Sequence, residues 1–326
     1  MDETAIVPGA IIDMHAHIYP DGCFAEVVKA RPDFALAHSP RGLSLVCRGS
    51  HTMSARMGED LGQRLQVMDE SGVAIQILSI GALNLGWAGQ GDVVTARLIN
   101  DGFASVCRQY PTRFGFVAAL PWSSHTALSA ELDRALGLGA LGVGITTTIA
   151  DYTLDGPELR AFWHEAQRRK LLVLVHPTFP PDGPDNDRGE YLAVGYLGET
   201  AMAATKMAFG GVLEECPDVR IVWSHCGGSL AMLVDRLDRS YTRYEKCLRP
   251  PSEYLRRCFY DTACMHGPAL DCARATFGIE QLVYGTDEPH VRDATQAVLT
   301  ALRARPWPAS ELESVLSGNA CRLLTG

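Results

Sequence analysis

No run of apolar residues in this chain reaches the roughly 18–20 needed to cross a bilayer, so the sequence carries no membrane-spanning helix signal. Positive charge is also short: 29 Lys and Arg stand against 38 Asp and Glu, a formal net charge of −9. Binding a polyanion needs a basic surface, so neither nucleic acid nor an anionic membrane is an expected partner. Met1–Gly9 lack the basic stretch and apolar core of a secretory leader. The ten cysteines are scattered, with no C-x-x-C pair. Buried, reduced thiols in a cytoplasmic protein are the reading that follows. Internal repeats and blocks of like charge are missing too, which removes the solenoid and tail-bearing classes.

What remains is a chain of 326 residues, 47% hydrophobic and 21% charged, with ample material for one large core. Eight short apolar runs punctuate it: Ala10–Met14, Ala74–Ile80, Phe114–Leu120, Leu141–Thr146, Leu171–Val175, Arg220–Ser224, Phe259–Thr262 and Leu282–Gly285. Several are apolar throughout (LLVLVH, AIQILSI), as strands buried on both faces are. Between them lie segments with apolar residues at helical spacing, such as DVVTARLINDGFASVCRQY and PELRAFWHEAQRRK. Strands fed by helical crossovers form a parallel sheet, and eight units predict a closed (β/α)8 barrel of the TIM type in one domain, 1–326. An open doubly wound sheet is the alternative, but no glycine fingerprint follows the first strand. Two stretches break the alternation, about 19–60 and 177–199, and are expected to be insertions lying as lids over the barrel mouth.

The polar residues that interrupt these runs gather at strand ends. His15 and His17, in AIIDMHAHIYP, sit two apart, a spacing that puts both on one face of a strand. His176 ends the fifth run, His225 the sixth, and Asp287 follows the eighth. Taken singly, His176 before a proline reads as a structural histidine, His225 as a helix cap and Asp287 as a turn residue. Taken together, those readings leave unexplained why these strand ends carry the set. In a barrel all carboxyl ends share one rim, so the five residues would surround one cavity, and converging imidazoles suit zinc and its first-row neighbours. The fourth run ends in Ile-Thr-Thr-Thr, with no Lys or Glu able to bridge two ions, which favours a mononuclear site.

The chain resembles the amidohydrolase superfamily, and within it the branch of 2-amino-3-carboxymuconate-6-semialdehyde decarboxylase and related aromatic-acid decarboxylases. The resemblance is carried by IIDMHAHIYP, RLQVMDESGVAIQILSI, YPTRFGFVAALP, VHPT, GETAMAATKMAFGGVLEECPDVRIVWSHCGGSL, FYDTACMHGPAL, VYGTDEPH and SGNACRLL. It implies that His15, His17, His176 and Asp287 hold one divalent metal ion, zinc first and manganese second. It implies further that His225, just outside that shell, is general base and then acid, and that Asp287 shares in proton transfer. The reaction so implied is non-oxidative decarboxylation of a small aromatic or unsaturated carboxylic acid in a homodimer; hydrolysis or hydration on the same barrel is the alternative. Thr178–Phe179 after His-Pro and Glu288 after Gly-Thr-Asp depart from the branch. Candidates for contact with the substrate are Arg48 and Arg56, as carboxylate partners, with Asn84, Trp87 and His266. His38, His51, His125, His164 and His290 are read as surface or loop residues.

Overall fold

The structure, a computed structural model, describes residues 9–39, 42–47, 51–54, 61–178, 189–291 and 293–325. The strands are β1 (Ile11–His17), β2 (Phe34–Ser39), β3 (Gly42–Cys47), β4 (His51–Ser54), β5 (Val73–Ser79), β6 (Phe114–Phe116), β7 (Val143–Thr146), β8 (Thr148–Ile149), β9 (Tyr152–Thr153), β10 (Leu172–His176), β11 (Arg220–Trp223), β12 (Phe259–Asp261) and β13 (Leu282–Val283). Two parallel ribbons, β1-β5-β6 and β13-β12-β11-β10-β7, make up the wall. They meet at both seams. Beyond β6, Ala118 bridges to Val143, with Gly144 N–H donating to Ala118 O at 2.9 Å. Beyond β13, Met14 N–H donates to Tyr284 O at 2.8 Å. The result is a closed barrel of eight parallel strands, as the alternation of apolar runs and helices predicts.

Its interior is filled by Ile12, Met14, Ile75, Ile77, Val117, Leu172, Leu174, Val222 and Val283, with Ala320 and Leu323 of the last helix joining the same cluster. A larger cluster, including the fully buried Trp163, Trp223 and Tyr260, packs the outer strand faces against the helices. These two layers hold the strand ends fixed, because close-packed side chains leave little room for the backbone to shift.

The first run extends further than its apolar residues suggest. β1 stays paired with β5 as far as His17 opposite Ser79, so both histidines belong to the strand. The pairing is irregular between Asp13 and Ala16, and Met14 and His15 both line the interior cavity. A bulge re-aims consecutive side chains in this way. Strict alternation, the basis for placing His15 and His17 on one face, is therefore not the whole geometry. The eighth strand is shorter than its apolar run: Tyr284 N–H turns to Val315 O at 2.9 Å, ending the ladder.

The described residues of the first expected insertion are folded. A helix (Ala25–Ala30) leads into the antiparallel sheet β2-β3-β4, and Phe34 of that sheet packs on Trp87 with ring centroids 5.3 Å apart. In the second, residues 179–188 lie outside the described residues, and from Glu190 the chain is already helical into the helix Tyr196–Phe209. No described helix is long and apolar enough to cross a membrane.

Candidate metal centre at the carboxyl ends of the strands

His15, His17, His176 and Asp287 come together: one donor atom from each lies within 4.8 Å of all the others. Asp287 Oδ1 stands 3.4 Å from His15 Nε2, 3.0 Å from His17 Nε2 and 3.8 Å from His176 Nε2. All four residues are buried. Two strands, β1 and β10, and the loop after β13 are thus pinned at a single point, with 270 residues of chain between His17 and Asp287.

Each imidazole has its other nitrogen committed. His15 Nδ1 lies 2.6 Å from Asp261 Oδ2, so the proton on Nδ1 is donated there. His17 Nδ1 faces Ser79, at 3.0 Å from Oγ and 3.3 Å from the backbone O. His176 Nδ1 donates to Pro177 O at 2.7 Å. These bonds fix the tautomers so that every Nε2 turns a lone pair inward, as second-layer partners of metal ligands do. His15 Nε2 and His17 Nε2 are then 3.0 Å apart. Two lone pairs at that distance repel unless a cation or a proton lies between them. His176 Nε2 is buried without a hydrogen-bond partner, and its 3.8 Å from Asp287 exceeds bonding reach. A divalent cation satisfies all of these atoms at once, so the donor set fits one.

Ionisation in the metal-free cluster tells the same story. Burial opposes charge on His15, but the carboxylates of Asp261 and Asp287 outweigh it and raise the imidazolium to about 10. Burial, with His15 and His176 beside it, pushes His17 down to about 3, and burial likewise lowers His176 to about 4. Burial opposes charge on Asp287 as well, but the imidazoles around it, His15 first, hold its carboxyl well below the usual range.

His225 sits across Asp287 from the cluster, its Nε2 3.4 Å from Oδ2. Its backbone has φ +55°, in the left-handed region, and its N–H donates to Asp261 Oδ1 at 2.8 Å. Nδ1 is buried with no hydrogen-bond partner. Asp261 therefore spans both parts of the site, holding the His15 ring with one oxygen and the His225 backbone with the other. Beneath the cluster the cavity floor is apolar: Met14, Ile80, Ile145, Leu174 and Val222.

A second buried layer supports the first. Asp13 accepts from Thr286 Oγ1 at 2.6 Å, from Gln76 Nε2 at 2.9 Å and from His15 N–H at 3.1 Å. Burial, partly offset by those bonds, raises its carboxyl to about 6. Arg64 donates to His17 O at 2.8 Å. Asp261, Asp13 and Arg64 are absent from the expected site residues. For Asp261 the signal was available, since it closes the strand of the seventh run as His176 closes that of the fifth, but only His266 is an expected site residue from that strand end.

The remaining candidates fall as follows. His266 is exposed, in the N-cap position of the helix Gly267–Phe277, and is not among the clustered residues. Asn84 is fully buried, its Oδ1 accepting from Gly86 and Ala150 N–H at 3.1 and 3.0 Å and its Nδ2 donating to Thr148 O at 3.0 Å. It clamps one rim loop to the next, with no polar atom left for a ligand. Trp87 is buried against Phe34 and packs under the inserted sheet. Arg48 and Arg56 lie outside the described residues, as do the side chains of His38 and His51. His125 and His164 are exposed, as expected. His290 is not a surface residue: its Nε2 meets Tyr19 Oη at 2.7 Å and its ring centroid is 5.1 Å from that of His17.

Residues 12–325 match the protein family described as Amidohydrolase. Among curated relatives, the 2-amino-3-carboxymuconate-6-semialdehyde decarboxylase of Dictyostelium discoideum is 28% identical over 80% of this chain and 75% of its own length. The 6-methylsalicylic acid decarboxylase of Penicillium expansum is 27% identical over 96% of each chain. Among solved structures, a dihydroxybenzoic acid decarboxylase from Polaromonas sp. JS666, with bound manganese and the inhibitor 2-nitroresorcinol, superposes with a TM-score of 0.76 at 20% identity. That superposition covers 97% of this chain and 96% of the other.

Proposed function

The chain belongs to the amidohydrolase family, and from that premise we propose that it is a metal-dependent, non-oxidative decarboxylase of a small aromatic or unsaturated carboxylic acid. The observation that carries this reading is the convergence of His15, His17 and His176 on Oδ1 of Asp287 while His225 faces Oδ2 of the same carboxylate. Decarboxylases aligned along most of the chain support the choice of reaction. His15, His17, His176 and Asp287 hold one divalent cation; imidazole donors suit zinc, and the manganese of the Polaromonas enzyme gives the second candidate. When bound, that cation would supply Lewis-acid chemistry toward the substrate's oxygens.

The chain's own groups do the rest. His225 delivers a proton from Nε2 to the carbon bearing the carboxylate, and Asp287 Oδ2 keeps that ring aligned. A C–H bond forms, the C–C bond to the carboxylate breaks, its electron pair returns to the ring, and CO2 leaves. His225 then recovers a proton from solvent. The apolar floor of Met14, Ile145, Leu174 and Val222 keeps water away and strengthens the electrostatics above it.

The test is product analysis with dihydroxybenzoates, 6-methylsalicylate and muconate-type acids in H2(18)O. CO2 release with a hydrogen at the vacated carbon supports decarboxylation. Product carrying (18)O with no CO2 assigns the same groups to hydrolysis or hydration.

A further inference from the structure

We propose that Cys226 and Cys264 form an oxidation site: a hydroperoxide converts the pair to a disulfide that displaces His225 and switches the enzyme off without emptying the metal centre. The two residues are 38 apart in sequence, at the carboxyl ends of the adjacent strands β11 and β12, and their sulfurs are 3.3 Å apart. A disulfide needs about 2.0 Å, so closure asks for a movement of roughly 1.3 Å. Among the described residues these are the two cysteine sulfurs brought into contact, and neither takes part in the chemistry proposed above.

The two sulfurs are unequal. Cys264 is partly exposed, whereas Cys226 is buried. Cys226 S–H donates to the Cys264 sulfur, and that bond lowers the Cys264 thiol while raising its partner. Cys264 is therefore the nucleophile that meets the oxidant and Cys226 the resolving thiol behind it. Cys264 thiolate attacks the peroxide O–O bond, giving a sulfenic acid and releasing water or an alcohol. Cys226 then attacks that sulfur and expels a second water. Two thiols lose two electrons and two protons, and one hydroperoxide is reduced.

The effect on the site follows from the positions. His225 and Cys226 are consecutive residues with φ +55° and +56°. On the far side the chain is wedged: a Cβ on Gly227 would lie 2.8 Å from the Tyr260 ring, and one on Gly228 would meet Leu197 O. Movement of Cys226 toward Cys264 is therefore taken up on the His225 side, against its bond to Asp261. His15, His17, His176 and Asp287 lie on other strands or loops and keep their positions. The loss of activity rests on the role given to His225; the bond itself does not.

The experiment uses metal-loaded enzyme treated with hydrogen peroxide, alkylated, digested and mapped by fragmentation mass spectrometry. The expected result is a Cys226-containing peptide linked at Cys264, rather than at Cys258 or Cys272, with two of the ten thiols lost. Metal content should stay unchanged, CO2 release should fall by roughly 10², and dithiothreitol should reverse both changes. Cys264→Ser, or Cys226→Ala should the first fold poorly, should form no such link and keep its activity through the same exposure. Cys226 and Cys264 both remaining alkylatable would overturn the site, as would a sulfinic acid on Cys264 with no link. A complete link with undiminished CO2 release would overturn the switch, whereas absence of turnover before treatment bears on the decarboxylase reading alone.

Discussion

Replacing Asp261 with asparagine isolates how the site prepares its ligands. The change keeps size and shape, and an amide oxygen can still accept from His225 N–H and Ala263 N–H, now at 2.8 and 3.0 Å. That leaves the amide nitrogen facing His15 Nδ1, 2.6 Å from the present Oδ2. Two donors then oppose each other in a buried place, with Asp261 1% and His15 3% exposed. The His15 proton is driven to Nε2, and the lone pair meant for the metal is lost. Comparable losses of a partner behind a metal-bound histidine cost 10–100-fold in affinity, about 1.4–2.7 kcal/mol. Chelator competition on Asp261→Asn should show a weakening of that size, with circular dichroism unchanged. Affinity within twofold of the parent would refute the argument that Asp261 sets the His15 tautomer.

Further expectations follow from the same geometry. His225→Asn should retain the metal and lose roughly 10²–10⁴ in turnover, read by elemental analysis beside CO2 release; loss of metal would place His225 among the ligands. His15→Ala and Asp287→Ala should each abolish high-affinity metal binding. Because His15 is protonated below about 10 in the metal-free cluster, and a ligand must be deprotonated, binding should release about one proton at neutral pH. Affinity should accordingly rise with pH by about tenfold per unit between the His176 and His15 values, and calorimetry in buffers of different ionisation enthalpy counts the proton. Asp92→Ala removes the acceptor for Trp122 N–H, Ser123 N–H and Ser123 Oγ. It should cost about 2–4 kcal/mol of stability in denaturant titration, since three hydrogen bonds to one buried carboxylate are lost.

How far the site could be read from sequence depended on which physical signal each part carries. Strands of a parallel barrel are buried on both faces, so their apolar runs stand out, and the histidines and aspartate closing them mark the rim directly. Asp261 closes a strand as well, but it sits inside the run Phe259–Thr262 rather than just past an apolar stretch. Its function lies in a bond to His15, 246 residues away, which no local pattern reveals. The irregular pairing between Asp13 and Ala16 is equally silent in a sequence that alternates smoothly. Asn84 shows the converse: a polar residue just past a strand reads as a pocket residue, and its partners, Gly86, Thr148 and Ala150, are visible only in the fold. His290 joins the site's surroundings through His17 and Tyr19, both at the other end of the chain. The inserted sheet was missed because its short strands pair locally, without the long apolar runs of the barrel.

The central claim is that His15, His17, His176 and Asp287 form one metal site on which activity depends. Elemental analysis of enzyme purified without chelator tests it most directly. About one divalent ion per chain in the parent, and none in Asp287→Ala, is the result expected of a mononuclear site. An enzyme that is active but metal-free, or that keeps its ion in Asp287→Ala, would contradict it.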